Sequence, residues 1–309
     1  MQGPFHHRRP SSPRPEEPVE AECRFSPRRW PLITPALFSH RPPPNREKRE
    51  KSKTLRPGIA ALLLLPVLAG CVRYLPARLR PTPVPLHVVH YPGPAPNAGQ
   101  PRTLVVLLHG QWDRPRDFGT YGFPEIAARA GAHVDMVAVD AHLNYYYKNM
   151  IVDRLREDVI GPARRHYDRI WLAGISIGGT GSLLYASQHP EDVDGIVIFA
   201  PYLGEDRVID EVAAAGGLAS WQVPKTLAPN DFQRRIWIWL QGYTRGPARF
   251  PLYLGWGETD SFARANGLLA KELPKDHVFT APGGHEWKAW SKLWEQFVRT
   301  GALGGRKHL

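Results

Sequence analysis

Three kinds of side chain in this sequence could together break an acyl bond. The pentapeptide Gly174-Ile175-Ser176-Ile177-Gly178 sets a serine between two glycines. An apolar run, Ile170–Ala173, leads in, and a run with helical character, Ile177–Gln188, leads out. A serine on such a strand-to-helix turn exposes its oxygen, and the glycines let helix and strand approach closely. The first N–H groups of the helix then face any negative charge that develops beside the serine. A hydroxyl becomes a useful nucleophile only when a base takes its proton. Candidate bases are His133, His142, His166, His189, His277 and His285. His285 lies in Ala281-Pro282-Gly283-Gly284-His285-Glu286-Trp287, a flexible Gly-rich loop between the last expected strand and the last expected helix. His277 opens a strand pattern and His189 ends a helix pattern. Asp260, Glu258 and Asp206 are the carboxylates that could orient the base.

The elements that must carry these residues alternate in kind. Strands are expected at Leu86–Tyr91, Thr103–Leu108, Val134–Val139, Ile170–Ala173, Val193–Phe199, Leu252–Gly255 and Val278–Thr280. Helices are expected at Pro124–Ala130, Ile151–Tyr167 (interrupted near Gly161-Pro162), Ile177–Gln188, Phe262–Leu273 and Trp287–Thr300. Continuous apolar strands separated by helices predict an α/β fold, a mostly parallel central sheet with helices on both faces. Residues 203–247 break the rhythm and read as a helical cap insertion, with a helix at Glu205–Ala215 and a tryptophan-rich stretch at Phe232–Leu240.

The Ser176 pentapeptide in this setting resembles the nucleophile turn of the α/β-hydrolase superfamily, and the resemblance covers about residues 86–300. His109-Gly110, directly after an apolar strand, looks like the family's oxyanion loop. The chain order Ser176, Asp260, His285 is the family's order of nucleophile, acid and histidine. The resemblance implies Ser176 as nucleophile, His285 as general base and Asp260 as the acid that orients it. It also implies oxyanion donors at the backbone N–H groups of Gln111 and Ile177, with His109 supporting the loop. The implied reaction is cleavage of a carboxylic ester or related acyl bond in a small-molecule substrate, and it calls for no metal and no organic cofactor. Trp112, Tyr145–Tyr147, Trp221, Trp237 and Trp239 are candidates to line an acyl pocket.

Composition divides the 309 residues unevenly. Residues 1–70 hold 13 of the 32 prolines and a net charge of +7 out of +11. The remainder therefore carries only +4, no basic footprint for nucleic acid. The two cysteines, Cys23 and Cys71, precede the folded region, which excludes a thiol nucleophile or cysteine-based zinc site there. Residues 1–54 read as disordered and as an over-extended reading frame, with a true start near Leu55. Residues 55–71 combine a basic flank, a short apolar run and Leu68-Ala69-Gly70-Cys71. That pattern resembles a bacterial lipoprotein signal, which implies lipidation at Cys71 and attachment to a membrane of the cell envelope. Residues 72–85 read as a proline-stiffened spacer and 301–309 as a flexible tail.

Overall fold

The computed structural model describes residues 80–304. Cys71, the signal-like segment and most of the spacer lie outside them. Seven strands form one sheet: β1 (Val88–Tyr91), β2 (Thr103–Leu108), β3 (Val134–Val139), β4 (Arg169–Ile175), β5 (Gly195–Phe199), β6 (Leu252–Gly257) and β7 (Val278–Ala281). Their order is β1-β3-β2-β4-β5-β6-β7. β1 runs antiparallel to β3, and every other pairing is parallel. The α/β expectation therefore holds. Every residue of β2 and of β5 is buried, as a strand covered on both faces must be.

Two features of the sheet position a site. The chain leaves β2 toward β3, then returns to the other side of β2 as β4. Connections diverge at that point, and the region beyond the carboxyl ends of β2 and β4 is where open α/β sheets take their ligands. The register also brings neighbouring ends level: Leu108 pairs with Gly174, Ile175 with Phe199, Phe199 with Gly255, and Gly257 with Ala281. The residues that follow these ends emerge along one edge.

The helices are α1 (Asp117–Thr120), α2 (Phe123–Arg129), α3 (Leu143–Tyr147), α4 (Ile151–Leu155), α5 (Gly161–Ala163), α6 (Ile177–Gln188), α7 (Asp206–Ala214), α8 (Phe232–Arg245), α9 (Ala263–Ala270) and α10 (Trp287–Arg299). A π-helical turn, Arg156–Ile160, joins α4 to α5. It falls just before the expected interruption, where Pro162 supplies no N–H to the helical ladder. α10 buries Trp287, Trp290, Leu293, Trp294, Phe297 and Val298, an apolar stripe at helical spacing. Residues 203–247 do contain two helices, and both commit apolar faces to the core. Val208, Ile209 and Val212 of α7 and Ile236, Trp237 and Leu240 of α8 belong to one buried cluster with α6.

Residues 80–85 differ from a free spacer. Asn144 donates to the Arg80 carbonyl at 2.5 Å, and the Tyr145 hydroxyl donates to the Pro83 carbonyl at 2.7 Å. His142 donates from Nε2 to the Pro81 carbonyl at 2.9 Å and accepts at Nδ1 from the Asn144 N–H at 3.3 Å. His142 thereby caps α3, a helix without the usual Ser, Thr, Asp or Asn start signal. Residues 301–304 are likewise docked, with Ala302 and Leu303 buried.

Burial, reinforced by the nearby Arg80 charge, pushes the His142 pKa from its ordinary 6.5 down to about 4. Between those values the unfolded chain binds a proton that the folded chain refuses, so stability rises with pH across that window and falls on acidification. The expected result is a urea midpoint that drops as pH goes from 6.5 toward 4, and a shallower drop in His142→Asn, which keeps a capping acceptor but does not titrate. An unchanged slope in the variant would refute the assignment.

Candidate active site

Ser176 occupies the first position after β4 with φ 54° and ψ −119°. A non-glycine residue there is strained by about 1–3 kcal/mol and persists only where its surroundings enforce it. Here the enforcement is visible. The Ser176 N–H donates to the Phe199 carbonyl at 2.9 Å, and its own carbonyl accepts from the N–H groups of Thr180 and Tyr202, both at 3.2 Å. The two glycines of the pentapeptide are steric necessities. A Cβ on Gly174 would meet the Gly178 carbonyl, and one on Gly178 would meet the Leu108 carbonyl. Ser176 is 8% exposed.

His109, Gly110 and Gln111 follow β2. A Cβ on Gly110 would lie 3.5 Å from the Ser176 Cβ, so the loop backbone passes directly beside the serine. Among the described residues, the N–H groups of Gln111 and Ile177 have no hydrogen-bond acceptor. For Ile177 this is the ordinary state of a first-turn helical N–H. His109 is fully buried; its Nδ1 donates to the Gly110 carbonyl at 2.7 Å, and its Nε2 lies 3.4 Å from Asp140 Oδ1. Burial alone would raise the Asp140 pKa, but the neighbouring His109 imidazole holds it below the usual carboxylate value. His109 thus braces the loop from beneath.

The other half of the site rises from β6 and β7. The Glu258 N–H donates to the Ala281 carbonyl at 2.9 Å and the Thr259 N–H to the Gly283 carbonyl at 3.0 Å, stitching the two loops together. Gly283 adopts φ 125°, closed to residues with a Cβ, and this turn presents His285. The His285 Nδ1–H donates to Asp260 Oδ2 at 2.9 Å, with Oδ1 at 3.1 Å. Asp260 Oδ1 also accepts from the Phe262 N–H at 2.8 Å. The Asp260 side chain is 0% exposed and that of His285 28%. Phe262 and Trp290 meet the imidazole at 4.9 and 5.0 Å, both nearly perpendicular to it. With Nδ1 engaged by the carboxylate, Nε2 keeps a free lone pair. Such a nitrogen can take a proton from a hydroxyl and return it.

The rival residues are placed elsewhere. Glu258 and Asp206 are exposed. His277 stacks on Tyr253 with ring centroids 4.1 Å apart, His133 is half-buried with Nδ1 donating to the Ala95 carbonyl, His166 is exposed, and His142 caps α3.

The aromatics expected to line a pocket divide sharply. Tyr145, Tyr146 and Trp237 are buried in the core, and Trp237 donates to the Leu203 carbonyl at 2.8 Å. Trp221 is buried and donates to Glu211. Tyr147 and Trp239 are half-buried and pack against the same core cluster. Trp112 alone of the group is open, 78% exposed next to Gln111. Composition could mark these residues as aromatic, but helix phase decides which face is buried. Sequence reasoning did not single out Asp113, Phe262, Trp287 or Trp290, which surround the site. The only available signal was their adjacency to Gln111, Asp260 and His285.

The sequence model of the Esterase family matches residues 122–299. No curated protein is significantly similar to the chain. Among solved structures, the S-formylglutathione hydrolase FrmB from Staphylococcus aureus aligns with a TM-score of 0.47 and 16% identity, over 71% of this chain and 98% of that one. Est1E from Butyrivibrio proteoclasticus aligns with a TM-score of 0.48 and 18% identity, over 72% and 96%. A monoacylglycerol lipase from Paleococcus ferrophilus gives 0.45 and 17%, over 71% and 98%.

Proposed function

The chain belongs to the Esterase family, and from that premise we propose that it hydrolyses a small-molecule carboxylic ester through an acyl-enzyme on Ser176. The observation that carries this reading is the Asp260–His285 hydrogen bond, on loops stitched to the sheet edge that also bears the strained Ser176 turn. In the proposed sequence His285 Nε2 takes the Ser176 proton as Oγ bonds to the ester carbonyl carbon. The displaced electron pair collects on oxygen, where the N–H groups of Gln111 and Ile177 hold it. Collapse breaks the ester bond, and His285 passes the proton to the leaving alcohol. Water, deprotonated by the same imidazole, then releases the acid and restores Ser176.

A fluorophosphonate probe provides the test. Wild-type protein should be labelled on Ser176 and Ser176→Ala should not. Labelling that persists in the variant, or a wild type inert to both the probe and a panel of short- and long-chain p-nitrophenyl esters, would overturn the reading.

The proposal extends to location. Acyl chains on Cys71 would hold the enzyme on the cell envelope, where a medium-chain or lipid-like ester is within reach. Metabolic labelling with a palmitate analogue should mark the wild type and miss Cys71→Ser. A mature chain whose mass includes residues before Cys71 would count against the anchor.

A further inference from the structure

One side-chain hydrogen bond crosses the mouth of the site and has no part in the reaction as proposed. Trp287 Nε1 donates to Asp113 Oδ1 at 2.9 Å. Asp113 belongs to the loop that follows β2, and its N–H donates back to the Gly110 carbonyl at 3.3 Å. Its other carboxylate oxygen lies 2.5 Å from where a Gly110 Cβ would stand. The carboxyl group therefore fills the concave side of the turn that presents Gln111. Trp287 is equally committed on its own side. Its ring stacks on Tyr121 at 4.7 Å, meets Phe118 edge-on at 5.2 Å and meets Trp290 at 5.4 Å. Trp290 is the ring that abuts His285. A chain of contacts thus runs from the Gln111 turn through Asp113, Trp287 and Trp290 to His285. Burial also raises the Asp113 pKa, so this carboxyl is held at some electrostatic cost.

We propose that Asp113 is a positioning residue whose hydrogen bond to Trp287 clamps the Gly110–Trp112 turn at a fixed distance from the histidine loop. The inference rests on the esterase reading for its kinetic consequence, but the clamp itself is a property of the loop. The hydrogen bond, and not the charge, is what the loop requires. A negative charge beside a developing oxyanion is unfavourable, and asparagine offers Trp287 the same acceptor.

Three variants test this, by steady-state kinetics on a p-nitrophenyl ester and by amide hydrogen exchange over residues 109–113. Asp113→Ala should lower kcat by about 10- to 100-fold, the scale of a mispositioned reacting group, with KM changed much less. Exchange across the turn should accelerate in the same variant. Asp113→Asn should restore both readouts to within about twofold of wild type. Trp287→Phe removes the donor and should reproduce the Asp113→Ala exchange pattern. Unchanged exchange in Asp113→Ala overturns the clamp. Asp113→Asn falling as far as Asp113→Ala assigns the effect to charge and also overturns it. A wild type that fails to label with fluorophosphonate removes the esterase reading alone, because the exchange measurement still decides the clamp.

Discussion

Ser176→Ala should lower kcat/KM for a p-nitrophenyl ester by at least about 10⁴-fold while leaving the thermal midpoint within a few degrees of wild type. The size follows from the role assigned to the hydroxyl. Without Oγ no acyl-enzyme can form, and residual turnover falls to what oxyanion stabilisation and substrate binding supply to direct attack by water, about 10³–10⁴ over the uncatalysed rate. The preserved stability follows from the backbone. Alanine shares serine's cost at φ 54°, and the bonds that enforce the turn, to Phe199, Thr180 and Tyr202, are main-chain bonds that alanine also makes. The pair of measurements separates chemistry from folding. Loss of activity together with a collapsed melting transition would mean that the hydroxyl is structural, and retained activity would mean that another residue is the nucleophile.

How much of this was legible in the sequence depended on whether the determining physics was local. β2, β3 and α6 were placed to the residue, because buried parallel strands read as unbroken apolar runs and glycine and proline punctuate their ends. The Ser176 turn was legible in part, since Gly174 is demanded by a local contact with the Gly178 backbone, whereas Gly178 is demanded by the distant Leu108 carbonyl. The choice of Asp260 over Glu258 needed more than spacing, because both carboxylates follow β6 in one short loop. What distinguishes them is which way the turn points: Asp260 is buried against His285 and Glu258 faces out. The α3 helix and the docking of residues 80–85 were not legible. α3 starts at a histidine cap, and the docked segment is held mostly by carbonyls accepting from residues more than sixty positions away. The aromatic candidates could not be sorted from the sequence for a related reason. Tyr145, Tyr146 and Trp237 satisfy the same composition whether they face a ligand or a core, and only their packing partners decide.

Replacing the acid should cost nearly as much as replacing the nucleophile, and by a route that only this geometry allows. Asp260→Asn is expected to lower kcat by about 10³- to 10⁴-fold with a small change in KM. In the native site the carboxylate accepts from His285 Nδ1, which fixes the proton on Nδ1 and leaves Nε2 basic. Asparagine can satisfy the Phe262 N–H with its oxygen, keeping the native acceptor bond at Oδ1. Its amide then turns two donor hydrogens toward Nδ1. The imidazole answers by moving its proton to Nε2, where it blocks abstraction of the Ser176 proton. The lesion is therefore one of tautomer, with shape and packing largely intact. Glu258→Gln is the matched control: its side chain is exposed, and activity should stay within about twofold. If Glu258→Gln abolishes turnover and Asp260→Asn leaves it intact, the acid has been assigned to the wrong end of the same turn. If neither variant matters, His285 is not the base.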